Sequence, residues 1–340
     1  MIKKVYPYQL TFKYPFKIAH GARTGTDVVY IEISEAGFTG YGEASLPPYL
    51  LETSDTVIQW LNSVELDFNI ADYSAEIYYR IRHQYPGNMP ALAALDMALW
   101  DLKGKTEGKS FRDYFNIPDA NTPCTYTLGI SNKAEMEQKI HEAVNYGFKL
   151  FKIKLNGTDD VQMLADYQAL THLPFMVDYN QALDDVSVAA DKLSWLKQLG
   201  CILVEQPFKK EMFMDSAIIT SSKTIPVYAD ESFQTLTDLP NIPGAFNGIN
   251  IKLMKCGGLT EAINIITEAR KLNLSLLIGC MSESSVGCTA AAQLAPLCDY
   301  ADLDGPYLIS NDPFTGMKVA DGFITIGDIK GIGTKPTPLY

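Results

Sequence analysis

The sequence predicts an α/β protein: a parallel barrel with a smaller α+β domain in front of it. Three observations predict this. After Pro118, apolar runs of strand length recur with helix-length stretches between them. Asp178 (in FMVDYN), Glu205 (in ILVEQP) and Asp230 (in PVYADES) stand near the ends of three successive runs, flanked by Lys154 (in FKIKL) and Lys252 (in INIKLMKCGG). The steps between these five residues, in chain order, are 24, 27, 25 and 22 residues. Each step fits one strand, one helix and two loops, so the five side chains converge at one end of the barrel. The first third of the chain shows no such rhythm.

The elements follow in order. VVYIEIS (28–34) and FTGYGEAS (38–45) alternate as an antiparallel pair turning at Glu35-Ala36-Gly37. Helical spacing covers 54–64 and 74–83, and MPALAALDMALWDLKGKTEG (89–108) predicts a long buried helix with a glycine stop. FRDYF (111–115) is a short helix. Eight strands are expected within 124–130, 148–155, 175–180, 201–207, 225–232, 248–253, 274–281 and 299–305. KAEMEQKIHEAVNYG (133–147) and LTEAINIITEARKLN (259–273) are two of the intervening helices. The last unit is shortened, which predicts irregular closure. GFITI (322–326) is a strand in a tail that returns to the first domain. The boundaries read as 1–118, 119–311 and 312–340.

Composition bounds the function. The 340 residues carry a net charge of −12, which argues against nucleic-acid and anionic-membrane partners. No apolar run reaches the roughly 18 residues of a membrane span. MIKKVYPYQL lacks the apolar core of a signal peptide, and the six cysteines form no CxxC pair. Reduced thiols in a cytoplasmic protein are expected.

Three convergent carboxylates suit a hard divalent cation such as Mg²⁺. The alternative is that each acid caps the following helix. Asn180 and Gln206 follow two of these acids closely, Glu231 adjoins the third, and all three are expected to support the ligands. Lys152 and Lys154 share a strand face, because Phe151, Ile153 and Leu155 take the other. A neighbouring ammonium and a metal both favour a neutral lysine, which makes a usable base; a purely structural ion-pair network is the alternative. Lys252 approaches from the side opposite Lys154. A base on each side of one carbon suits a racemase or epimerase. Lys255 reads as a loop or surface residue.

KIK, VDYN, VEQP, ADES and NIKLMKCGG, together with GYGEA (40–44), resemble the muconate-lactonizing-enzyme subgroup of the enolase superfamily over nearly the whole chain. The resemblance implies a (β/α)7β-type TIM barrel with an α+β N-terminal capping domain completed by the C-terminal tail. It implies one Mg²⁺ per subunit on Asp178, Glu205 and Asp230, with Lys154 and Lys252 as acid/base catalysts passing a proton through an enediolate. Lys152 would assist the substrate carboxylate. Enolase-superfamily sites with Lys bases and Mg²⁺ are a known pattern. Members often self-associate, which leaves a homo-oligomer open.

Within the subgroup, Asp302-Leu303-Asp304 resembles the motif with which dipeptide epimerases hold a substrate's free α-ammonium group. Two carboxylates suit a charged group with three donors. A turn or helix cap in DLDGP is the alternative. L-Ala-D/L-Glu epimerases of the family carry an arginine where Gly21 stands here, and Arg23, two residues on, is a partial substitute for it. A neutral pocket near Phe16, Ile18 and Gly21 is therefore expected, with Met281 and Ser282 lining the site. The expected substrate is an Ala-Ala-type or small apolar dipeptide from wall turnover. The alternatives are an L-Ala-D/L-Glu epimerase, an N-acylamino acid racemase, a cycloisomerase, an o-succinylbenzoate synthase, or a barrel that binds without catalysis.

Overall fold

Alternating residues at the start of the chain build a three-stranded antiparallel sheet of β1 (Ile2–Ile18), β2 (Gly21–Glu35) and β3 (Phe38–Leu46). The computed structural model describes every residue except His20, Pro48, Asp328, Ile329, Leu339 and Tyr340. Ala36 and Gly37, at φ 51° and 83°, join β2 to β3 by a two-residue turn whose twist suits a hairpin.

Four helices follow: α1 (Ser54–Ser63), α2 (Ala75–Gln84), α3 (Met89–Glu107) and α4 (Phe111–Phe115). The Asn88 side chain caps α3, and Gly108, at φ 69°, ends it in the left-handed region. Every residue of α3 from Pro90 to Gly104 is buried. Its alanines let β3 lie directly on it. A Cβ at Gly40 would overlap the Ala98 carbonyl, and one at Gly42 the Ala94 carbonyl, so GYG serves close approach.

The barrel strands are β4 (Thr125–Leu128), β5 (Leu150–Lys154), β6 (Phe175–Asp178), β7 (Cys201–Glu205), β8 (Val227–Ala229), β9 (Gly248–Lys252), β10 (Ser275–Gly279) and β11 (Tyr300–Asp302). They pair in parallel in sequence order. A parallel bridge between Cys124 and Ala301 closes the ring. The shortened last unit expected from the sequence is present, since the last strand has 3 residues and the closing contact is an isolated bridge. The helices are α5 (Lys133–Asn145), α6 (Asp160–Leu170), α7 (Val186–Gln198), α8 (Phe213–Ser221), α9 (Leu253–Cys256), α10 (Leu259–Lys271), α11 (Ser285–Ala292) and α12 (Gly305–Leu308). A 3-10 stretch, Leu236–Asn241, stands between β8 and β9.

Strand alternation decides what faces inward. Leu150, Met176, Leu203, Tyr228 and Leu277 form an apolar plug inside the barrel, while the larger core lies between strands and helices. The register sets the polar layer above the plug. Lys154 stands beside Asp178 and Asp178 beside Glu205, and on the far side Lys252 stands beside Gly279 and Gly279 beside Asp302.

The tail returns to the first sheet and helices. Phe314, in β12 (Phe314–Thr315), packs on Tyr30 and Tyr41 with ring centroids 5.2 Å from each. The Ile332 amide donates to Asp101 at 2.9 Å. All six cysteines are buried and free. Among the described residues no helix is long and apolar enough to cross a membrane.

Candidate active site

At the C-terminal end of the strands the register brings together Asp178, Glu205 and Asp230, each offering a carboxylate oxygen within 4.8 Å of the others. All three are buried. Lys152, 1% exposed, meets two of them and a fourth acid, lying 3.1 Å from Asp178, 2.8 Å from Glu205 and 2.8 Å from Asp302. Lys154 lies 2.6 Å from Asp178, and Lys252 lies 2.8 Å from Asp230. The two lysines named as bases thus meet different members of one cluster from strands on opposite sides.

Asn180 donates its backbone amide to Asp178 Oδ1 at 2.8 Å, and its side chain to Asp178 and Glu231. Gln206 turns away from Glu205. Its Oε1 accepts from the Asp230 and Ser232 amides at 2.9 and 3.0 Å, so it braces the next ligand. Asn180 and Gln206 sit at φ 44° and 35°, where the chain turns sharply off the strands. Glu231 lines the cavity above.

Two supports were not anticipated. Lys255, expected at the surface, is 4% exposed and donates to Asp230 Oδ1 at 2.7 Å and to the Asp230 and Asn250 carbonyls. The short α9 folds it back beneath β9. Asn250 donates to Glu205 Oε1 at 2.9 Å across the barrel interior, and Gly279 leaves room for it, since a Cβ there would strike its amide. Its place two residues before Lys252 on one strand was the available signal.

Electrostatics test the fit to a cation. Six carboxylates (Asp178, Glu205, Asp230, Glu231, Asp302 and Asp304) crowd the mouth against four lysines (Lys152, Lys154, Lys252 and Lys255). Burial and the neighbouring Asp178 and Asp230 push Glu205 up to about 7, despite Lys152. Burial and the same two acids push Glu231 up to about 8. Burial works against charge on Asp178 too, but Lys154 and Lys152 hold it down at about 2. Burial likewise opposes charge on Lys152 and Lys252, yet the surrounding carboxylates hold both well above the ordinary lysine value. Unrelieved negative charge and three converging oxygens fit a hard divalent cation. A cation there would also take from the lysines the charge that keeps them protonated.

The Asp302 and Asp304 pair divides. Asp302 is engaged by Lys152 and by Thr125 Oγ1 at 2.6 Å, and burial notwithstanding, Lys152 keeps its pKa low. Asp304 accepts from the Thr127 amide, and burial beside Asp302 pushes it up to about 7. Asp304 is the N-cap residue of α12 by position, but its side chain makes no capping bond.

A cavity of about 850 Å³ joins these groups to the first sheet. Phe16, Ile18, Gly21 and Arg23 from the β1–β2 hairpin line it, as do Met281 and Ser282 after β10. The hairpin is pinned to the barrel by the Ile130 amide donating to the Lys17 carbonyl at 2.9 Å. The pocket therefore carries Arg23, the partial substitute for the arginine absent at Gly21. Arg23 is partly buried, its guanidinium lies 5.9 Å from the Phe12 ring, and its buried Nη1 has no hydrogen-bond partner among the described residues.

Comparison with known proteins agrees with this geometry. Residues 3–115 match the mandelate racemase / muconate lactonizing enzyme N-terminal domain, and 135–339 match the enolase C-terminal domain-like family. The chain belongs to the enolase superfamily. It is 41% identical to an L-Ala-D/L-Glu epimerase of Bacteroides thetaiotaomicron, over 96% of this chain and 86% of that one. It is 30% identical to a hydrophobic dipeptide epimerase of Roseobacter litoralis, over 94% and 95%. The substrate-liganded L-Ala-D/L-Glu epimerase from Bacillus subtilis superposes with a TM-score of 0.90 at 26% identity, covering 100% of this chain and 99% of that one. The chain falls among the dipeptide epimerases of the superfamily, which are isomerases.

Proposed function

We propose that the chain is a Mg²⁺-dependent epimerase of dipeptides that inverts the α-carbon bearing the free carboxylate. The observation that carries this reading is the pairing of Lys154 with Asp178 and of Lys252 with Asp230, which sets two proton carriers on either side of one carboxylate cluster. One lysine takes the α-proton, and the C–H electron pair moves into the adjacent carboxylate. The other lysine gives a proton to the opposite face of the same carbon. Asp178, Glu205 and Asp230 would hold one Mg²⁺ per subunit, which supplies positive charge beside the oxygens where negative charge gathers. Lys152 orients the substrate carboxylate.

Asp304 takes the free ammonium group, because Asp302 is already engaged by Lys152 and Thr125. Its raised pKa is relieved by a cationic ligand. Asp304→Asn raises KM for a free dipeptide roughly 10- to 100-fold, the worth of a charged hydrogen bond. Unchanged dipeptide kinetics in that variant would remove the ammonium assignment.

Arg23 favours an acidic second residue, since a carboxylate side chain would pair a guanidinium that has an unsatisfied buried nitrogen. The relative from Bacteroides thetaiotaomicron, named for Ala-Glu, supports the same choice. The second reading is a small or apolar second residue, favoured by Phe16, Ile18 and Gly21 in the same wall. Arg23→Met separates them. On the first reading kcat/KM for L-Ala-L-Glu falls roughly 10- to 100-fold while Ala-Ala is little affected. Equal effects on both would assign selectivity elsewhere.

The activity itself is tested by ¹H NMR of L-Ala-L-Glu and the Ala-Ala stereoisomers in D₂O with Mg²⁺. Loss of the second residue's α-proton signal, with growth of the diastereomer, is expected. Turnover of N-acylated amino acids with no change in any dipeptide would overturn the reading.

A further inference from the structure

Two fully buried carboxyls outside the metal cluster, Glu43 and Glu283, lie where the first sheet touches the barrel. Glu43 leaves β3 just after Gly42, where the strand rests on α3. Its Oε1 accepts from the Ser284 amide at 2.9 Å, and its Oε2 accepts from Ser284 Oγ at 2.6 Å and the Gly287 amide at 3.0 Å. Two residues on, and on the same face of β3, Ser45 Oγ donates to the Ser282 carbonyl at 2.7 Å. One strand of the cap therefore grips both ends of the short segment Ser282–Ser284. Met281 and Ser282, at the start of that segment, line the substrate cavity.

Glu283 turns inward between the two grips. Its Oε1 accepts from the Met281 amide at 2.7 Å, and its Oε2 has no hydrogen-bond partner among the described residues. Gly287 makes room for it, since a Cβ there would collide with Oε2. The N-terminus of α11 must then accommodate Glu43, Glu283 and Asp312, which accepts from the Ser285 amide at 2.9 Å. One helix end favours negative charge modestly, not three charges at once. Glu43 takes three donors, which favours its charged form, whereas the Oε2 of Glu283 takes none.

We propose that Glu43 and Ser45 are positioning residues that fix the segment Ser282–Ser284 and with it the Met281–Ser282 wall of the substrate cavity, and that the grip requires a proton on Glu283. Burial and the neighbouring Glu43 push Glu283 up to about 8, and burial pushes Glu43 up to about 7. The other groups facing the pair are Lys252, Asp312, Tyr30, Cys280 and Cys288. Because the folded protein keeps a proton that an unfolded chain releases near the ordinary carboxyl value, the stabilisation falls as pH rises from there through about 8. The wall is held at neutral pH and loosens in mild alkali.

The kinetic part of the test rests on the dipeptide reading; the structural part does not. Amide hydrogen exchange across 281–287, corrected for intrinsic rate, is measured on the full chain without substrate from pH 7 to 9. Glu43→Gln or Ser45→Ala accelerates exchange there about tenfold, as expected for one or two lost hydrogen bonds. KM for the dipeptide rises by a similar factor while kcat stays within about twofold, which marks lost binding and not lost chemistry. Glu283→Gln, which imitates the protonated acid, flattens the alkaline rise of exchange and of KM. Unaltered exchange in both grip variants, or a wild-type pH dependence in Glu283→Gln, overturns the proposal. If no dipeptide is turned over, exchange still decides the grip. If epimerisation is found with exchange unaltered, the grip alone fails.

Discussion

Lys154→Ala and Lys252→Ala are each expected to abolish two-way epimerisation, and the one-sided proton exchange that remains is slower by up to roughly 10²- to 10⁴-fold, the usual worth of one general acid or base. Each variant retains Mg²⁺ binding, because Asp178, Glu205 and Asp230 remain. The decisive measurement is solvent deuterium exchange from each diastereomer separately. With one lysine gone, the enzyme has a carrier on one face only. It exchanges the α-proton of one diastereomer slowly and with retention, and leaves the other untouched. Two-way epimerisation in either variant removes the two-base mechanism. The prediction rests on the separation of the lysines, each paired to its own carboxylate.

Asp230→Asn is expected to damage the fold as well as the metal site. Asp230 Oδ2 receives Lys252, while its Oδ1 and backbone carbonyl receive Lys255. Both lysines are buried, so neutralising the acid strands two ammonium groups away from water. Breaking a buried ion pair by removing one partner typically costs about 3–5 kcal/mol. Urea denaturation should show a loss in that range, and titration calorimetry a large fall in Mg²⁺ affinity. Asp178→Asn is milder, since it strands Lys154 alone, while Lys152 keeps Glu205 and Asp302 as partners. Equal stability losses for the two variants would show that Lys255 contributes little through Asp230. Lys255→Met in the Asp230→Asn background should restore part of the stability, because it removes one stranded charge.

The barrel and its principal acids were legible in the sequence for a physical reason. A buried parallel strand is a continuous apolar run, and a charge at its end has few roles other than a cap or a ligand. Lys152 and Lys154 were legible because strand alternation fixes their common face. What escaped depends on reach through space. Lys255 lies three residues beyond Lys252, and only the helical turn Leu253–Cys256 swings it under Asp230. Asn250 meets Glu205 across the barrel interior, 45 positions away in the chain. Glu43 meets Ser284 across 241 positions, where sequence periodicity carries no information. Gly21 and Arg23 were both legible as candidates for the pocket, and the hairpin carries them to the same wall. The division of labour between Asp302 and Asp304 was also hidden, since it depends on Thr125 and Thr127 of a strand some 177 positions earlier.

The pinned hairpin between β1 and β2 has a consequence for how such an enzyme changes its diet. On the proposed mechanism, proton transfer belongs to strand ends locked by barrel register, where one substitution disturbs several charges together. On the same reading, selectivity belongs in part to a separate ribbon that lines the cavity and is fastened through the Lys17 carbonyl. Exchanging that ribbon for a relative's is therefore the least disruptive route to a new substrate, because the chemistry beneath stays assembled while the menu above it is rewritten.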